Sequence, residues 1–255
     1  MTSQFLFSLI SGIFISGVAG YLGSLMLTKR MALVGDALGH VALPGMGLAL
    51  LLGFDVSFGA FIFLLLGIFL IWLFEIRTSL PIEALVGVVF VASLASGFLI
   101  VPEPELLEAL FGDISKVSLE GVIFSVIFSI LIFLAVRKIY SNMILANISN
   151  DLAKSEGIKI KMQNFIYLLS IAVTVALGVK IVGSLLVGAL VIIPAAAARN
   201  ISKSLKQYYS MSIILGVLSC FLGMMLFKLT NLPAGPLIIL TSTFFFLLSL
   251  IFKEQ

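Results

Sequence analysis

Charge is scarce in this chain. Of 255 residues, 15 are Lys or Arg and 12 are Asp or Glu, 11% in all, where a soluble domain carries about a quarter. Cysteine is nearly absent: the single Cys220 excludes an internal disulfide, and its place in an apolar run reads as a small core residue. The single histidine, His40, excludes a two-histidine zinc protease site, and no H-E-x-x-H occurs. No G-x-x-x-x-G-K-[ST] loop is present, so the chain has no such motif with which to hydrolyse ATP. One Trp and five Tyr leave a thin aromatic belt despite 22 Phe. The start, MTSQFLFSLISG, lacks the basic charge of a signal peptide and runs straight into an apolar stretch, so it is expected to belong to the mature protein. No nucleic-acid partner is expected.

What is present is apolar. Hydrophobic residues make up 61% of the chain and mean hydropathy is +1.27. A soluble fold has nowhere to bury that much apolar surface, so the expected solvent is lipid. A helix needs about 20 apolar residues to cross the hydrocarbon. Nine segments qualify, near 5–27, 31–53, 56–74, 82–101, 118–136, 164–182, 183–198, 208–227 and 235–252, with the sixth and seventh hardly separated. The expected fold is therefore an all-α, polytopic transmembrane bundle of about eight to nine spans. It forms one domain over 1–255, in the cell membrane.

The positive charges orient it. If odd-numbered spans run outside to inside, only Lys116, Lys180 and Lys228 fall outside, and the other twelve of the fifteen fall inside. That bias places the N-terminus outside and the C-terminus in the cytoplasm. The outer side receives the acidic stretch 102–118, with Glu103, Glu105, Glu108 and Asp113, either a solvated loop or a surface for cations or a basic partner. On the first span Gly12, Ser16, Gly20 and Ser24 recur every four residues, the spacing that lets a second helix backbone approach closely.

The longest polar stretch, about 138–163, falls on the cytoplasmic side. Within it SNDLAKSEGIK reads as a short helix capped by Ser149 or Asn150, with Asp151 in its first turn and Gly157 ending it. It is either an interfacial helix held by headgroups or a docking element for a cytoplasmic partner.

Only Asp36 places a charge well inside a span, and His40 comes four residues later on the same helix face. An ionised carboxylate in hydrocarbon costs several kcal/mol unless compensated. Two readings remain open at this point. His40 donates an internal hydrogen bond to Asp36, or the two bind a cation. A carboxylate oxygen with an imidazole nitrogen suits manganese, iron or zinc better than the all-oxygen preference of magnesium or calcium. Two ligands are too few for tight binding, which suits a pathway that must release its ion. Pro44 cannot bond the carbonyl of His40, and Pro194 leaves that of Leu190 free in the same way. Broken helices of this kind are tolerated where they line a cavity or pack within protein. A carrier driven by a proton or sodium gradient, with Asp36 as the coupling group, is the alternative to an ATP-driven one.

The segments MALVGDALGHVALPG (31–45) and VGSLLVGALVIIPAAAAR (182–199) closely resemble the signatures of permease subunits of ATP-binding-cassette importers for manganese, zinc and iron. FGDI (111–114) and NLPAGPLIIL (231–240) match in order and spacing, and DLAKSEGI (151–158) resembles the family's cytoplasmic coupling segment. The resemblance covers nearly the whole chain. It implies a homodimer, a separate cytoplasmic ATP-binding subunit, an extracytoplasmic solute-binding protein, and a transported divalent metal with no permanently bound cofactor. It places Asp36 and His40 on the ion route. It assigns Asp151, Ala153, Glu156 and Gly157 to coupling with the ATPase. Gly39 stands where the family usually has serine, which removes a hydroxyl beside the pair.

Overall fold

The computed structural model describes residues 2–100, 117–182, 187–230 and 232–252. The acidic stretch, apart from Val117 and Ser118, lies outside these residues, as do FGDI and part of the 182–199 segment. Eleven helices account for almost all of what is described. They are α1 (Thr2–Thr28), α2 (Val34–Val41), α3 (Leu43–Leu52), α4 (Val56–Arg77), α5 (Ile82–Ile100), α6 (Leu119–Ile148), α7 (Asn150–Ser155), α8 (Ile160–Val182), α9 (Val187–Ile201), α10 (Leu205–Thr230) and α11 (Ala234–Ile251). Where α2 and α3 run on as one, eight helical stretches are long and apolar enough to cross a membrane.

Local chemistry sets the helix ends. Gly53, in the left-handed region at φ 73°, ends α3. Asp55 then caps α4, its side chain accepting the Phe58 N–H at 3.0 Å. Ser118 caps α6 through the Gly121 N–H, and Ser149 caps α7 through the Leu152 N–H. Gly157, also at φ 73°, lies just past the end of α7. The short polar helix thus forms with the cap and the stop read from its sequence.

Three expectations are adjusted. The segment 183–198 appears as α9, only 15 residues long and about 22 Å, shorter than the other spans. The fifth span does not end near 136. α6 runs 30 residues to Ile148, about 45 Å. The first part of the polar stretch, 138–148, is therefore the end of a helix, and α7 begins only after Ser149. The second span begins as a turn at 31–33 and is broken near Ala42 into α2 and α3.

The small residues of α1 organise the packing. A Cβ on Gly20 would strike the Ser212 carbonyl of α10, and one on Gly216 would come within 2.5 Å of the Ser16 carbonyl. Gly23 meets the Val191 carbonyl of α9 just as closely. Ser24 turns to another neighbour and shares a 3.1 Å hydrogen bond with Tyr140 of α6. The four-residue stripe is therefore a packing seam, with α1 at the centre of the bundle. The α2–α3 stretch is more enclosed still, with 72% of its apolar window buried against 22% for α5.

Polar side chains tie the helix ends together at one end of the bundle. Lys29 Nζ donates to Asn164 Oδ1 at 2.6 Å, and Asn164 Nδ2 donates to Glu75 Oε1 at 2.8 Å. Asn147 Nδ2 donates to the Thr28 carbonyl, and Asn200 Nδ2 to Ser249 Oγ. These bonds gather the ends of α1, α4, α6, α9 and α11 with the start of α8. Lys29, Arg30, Arg77, Lys161 and Arg199 thereby share one end. At the other, Lys228 lies over the Phe5 ring, 5.4 Å from its centre. These five basic residues and Lys228 thus lie at opposite ends of the bundle.

Burial pushes the Lys29 ammonium down to about 8 from its ordinary 10.5, against the Glu75 carboxylate, which pulls it up. The folded state therefore holds the Lys29 proton less tightly than the unfolded chain. The resulting penalty is in full force below pH 8 and disappears as pH rises toward 10.5. The melting temperature of the detergent-solubilised protein is expected to rise across that window, and the rise should shrink in Lys29→Gln. A profile identical in the two proteins would contradict this account of the network.

Candidate functional site

Asp36 and His40 fall on α2, an eight-residue helix in which six residues are buried and these two are half-buried. The i, i+4 spacing places both on one face. Among the described residues no hydrogen bond joins them, and the Asp36 carboxylate has no hydrogen-bond or ion-pair partner. His40 Nδ1 is buried and likewise unpartnered. The imidazole packs beside Phe90 of α5, ring centres 5.4 Å apart. The internal hydrogen bond that would make the pair merely structural is thus not formed. Buried polar atoms are nearly always satisfied, and here a buried imidazole nitrogen lies four residues from a carboxylate that also has no protein partner among the described residues.

The backbone around the pair is shaped by close approaches. A Cβ on Gly188 would lie 2.5 Å from Asp36 Cα, 2.6 Å from its N and 2.7 Å from its Cβ, so α9 meets α2 backbone to backbone at Asp36. The two longest signature-like segments therefore cross at the candidate residue. Gly188 is eleven positions before Arg199, about 16 Å along α9 from the basic end. Beyond the pair, Gly45 of α3 and Gly59 of α4 pack main chain to main chain, and Gly97 of α5 faces Leu43 and Pro44. The α2–α3 break is clasped between α4, α5 and α9.

The two prolines sit differently in their helices. Pro44 opens α3 against α5, while Pro194 is buried inside α9, which continues through it to Ile201. The Ala42 N–H is directed to the His40 carbonyl that Pro44 cannot serve, so that oxygen is partly satisfied within the break. Among the described residues no three His, Cys, Asp or Glu side chains converge on one point. On α2 only Asp36 and His40 are of these residue types.

At the basic end, Ala153 is fully buried under α7, whereas Asp151, Glu156 and Gly157 are exposed. Asp151 makes only a loose 4.0 Å pair with Lys154. Leu152 of α7 is 55% exposed and Ile148, at the end of α6, 74% exposed. Glu75 and Asn164 were missed by reading the sequence. The only signal was a lone acid two residues before Arg77 at a span end. Gly188 was missed as well, because nothing in a glycine's neighbours along the chain tells which helix it will meet.

Eight crossing-length helices among the described residues define a class: a polytopic membrane protein. The chain belongs to the ABC 3 transport family, whose match spans residues 2–253. It is a multi-pass protein of the cell membrane and a transport subunit of that family. It is similar to the high-affinity zinc uptake system membrane protein ZnuB of Haemophilus influenzae, 32% identical over 254 residues that cover 97% of each chain. It is similar also to the manganese import system permease protein ScaB of Streptococcus parasanguinis, 29% identical over 95% of this chain and 88% of that one. Among solved structures, PsaBC from Streptococcus pneumoniae in complex with Fab contains a chain of the same fold. Its TM-score is 0.81 at 27% identity, covering 98% of this chain and 95% of that one.

Proposed function

We propose that this chain is the membrane-spanning subunit of an ATP-driven importer of a divalent transition metal, manganese, zinc or iron. In this reading two copies of the single permease domain, residues 1–255, form a homodimer. A solute-binding protein delivers the metal from outside, and a cytoplasmic ATP-binding subunit drives the cycle. The basic end of the bundle faces the cytoplasm and the N-terminus lies outside, as the positive-inside bias requires.

The observation that carries the proposal is the unpartnered Asp36–His40 pair where α2 crosses α9, in a chain similar to zinc and manganese permeases over almost its full length. An arriving cation would take the Asp36 carboxylate and a His40 nitrogen as ligands. Water or the second copy would supply the rest. A site so sparsely furnished by protein binds weakly enough to release its cargo. The break before Pro44 divides α2 from α3, so the two could move as separate pieces during the cycle. Pro194 gives α9 a comparable weak point. For coupling, α7 with Asp151, Ala153, Glu156 and Gly157 would seat the ATPase. Ala153 anchors the helix, Gly157 turns the chain back toward α8, and the two acids lie exposed beside it.

The test is transport by the assembled complex. Proteoliposomes holding the permease and its co-expressed ATPase are expected to accumulate manganese or zinc only with ATP and the loaded binding protein. Uptake by the permease alone, driven by an imposed proton or sodium gradient, would replace this reading with that of a secondary carrier.

A further inference from the structure

Beside α7 the basic end holds a groove of about 380 Å³ that neither the ion route nor the hydrogen-bonded helix ends use. Its wall is almost wholly apolar, built from Trp72 and Ile76 of α4 and Met162 of α8, with the stems of Lys154, Lys159 and Lys161 around it. Trp72 is fixed between Phe69 and Phe165, ring centres 6.2 and 5.3 Å away. On the same helix, within two turns before Trp72, Leu66, Phe69 and Leu70 are exposed. It therefore lies where the apolar surface of the bundle gives way to its basic end, at the level of the bilayer boundary.

The charges around the groove are positive. Lys161 Nζ is 3.3 Å from the Glu75 carbonyl, and Lys154 makes the loose contact with exposed Asp151. The Lys159 side chain has no hydrogen bond or ion pair among the described residues, and no acid lines the groove itself. An apolar trough beside exposed apolar residues of α4, with three lysines in its wall and no acid among its lining residues, matches one kind of molecule. That molecule carries a hydrocarbon chain at one end and a negative charge at the other. An interfacial tryptophan suits the junction between them. We propose that this groove is a binding site for an anionic phospholipid, with the acyl chain along Trp72 and Ile76 and the phosphate among Lys154, Lys159 and Lys161. The proposal stands independently of what the permease carries.

Trp72 is the only tryptophan in the chain, so its fluorescence reports on the groove alone. The full-length protein would be reconstituted into vesicles of phosphatidylcholine and phosphatidylglycerol. Two sets share the same headgroup composition and differ only in which lipid carries brominated acyl chains. Bromines on phosphatidylglycerol are expected to quench Trp72 more strongly, per bromine, than those on phosphatidylcholine. A lysine near a membrane surface is worth about fivefold in affinity for anionic lipid. Lys159→Gln should cut the preference by about that factor, and Lys159→Gln with Lys161→Gln should nearly abolish it. Equal quenching by both lipids overturns the proposal, as does a preference unchanged in the double variant. Amine-reactive labelling of Lys159 gives a second readout. Protection by anionic vesicles supports lipid binding. Protection by the partner ATPase alone assigns the groove to protein docking and overturns it.

Discussion

Replacing Asp36 and His40 together by alanine is expected to lower ATP-driven metal uptake by at least about 10–100-fold, since losing even an outer partner of a metal ligand costs that much. The melting temperature should not fall with it. The Asp36 carboxylate has no partner among the described residues, and the His40 Nδ1 is buried and unpaired. In hydrocarbon such groups are a burden on the fold, so removing them should leave stability unchanged or raised. A packing or hydrogen-bonding role predicts the opposite pair of results: lower stability with uptake lost only in proportion. Asp36→Asn sharpens the test, because it keeps the size and removes the charge. The measurements are initial uptake rates in proteoliposomes at saturating ATP and thermal unfolding of the same preparations. Unchanged uptake in the double variant would remove the pair from the ion route.

Gly188→Val should come close to that loss by a different physical path. Its Cβ would have to sit 2.5 Å from Asp36 Cα, whereas carbon atoms in contact rest about 3.5–4.0 Å apart. The first turn of α9 must back away from α2 by about 1 Å, at a cost of roughly 1–3 kcal/mol. The backbone pushed away is the one that packs against Asp36, so uptake should fall at least about tenfold along with a lower melting temperature. Gly87→Ala is the matched control. Gly87 lies inside α5, and a Cβ there meets nothing within 4 Å, so it should gain about 0.5–1 kcal/mol of helix stability. Full uptake in Gly188→Val would mean that the α2–α9 crossing does not position Asp36.

Much of the architecture was legible along the chain because membrane helices are written locally. Twenty apolar residues in a row specify a span wherever they lie, since hydrocarbon demands that each backbone bond be made within its own segment. The cap at Ser149 and the stop at Gly157 are equally local, each needing only a few neighbouring residues. The tail of α6 was hidden by the same rule. Residues 137–148 are too polar to read as a span, yet they remain helical because their helix continues beyond the hydrocarbon.

For the candidate site, sequence supplied the pair and its shared helix face but not its surroundings. That a charge sits at position 36 of an apolar segment is a fact of composition. That it lacks a partner, and that Gly188 presses on its main chain from more than 150 residues away in sequence, depends on which helices touch. The stripe Gly12–Ser16–Gly20 announced a close neighbour without naming α10, and Lys29, Asn164 and Glu75 gave no sign of one another. Periodicity and charge bias are properties of one segment in contact with its solvent, so the sequence alone decided spans, caps and the grouping of the basic ends. Partner choice between helices of nearly uniform apolar surface rests on glycines, serines and buried amides far apart in the chain, and only the folded bundle could decide it.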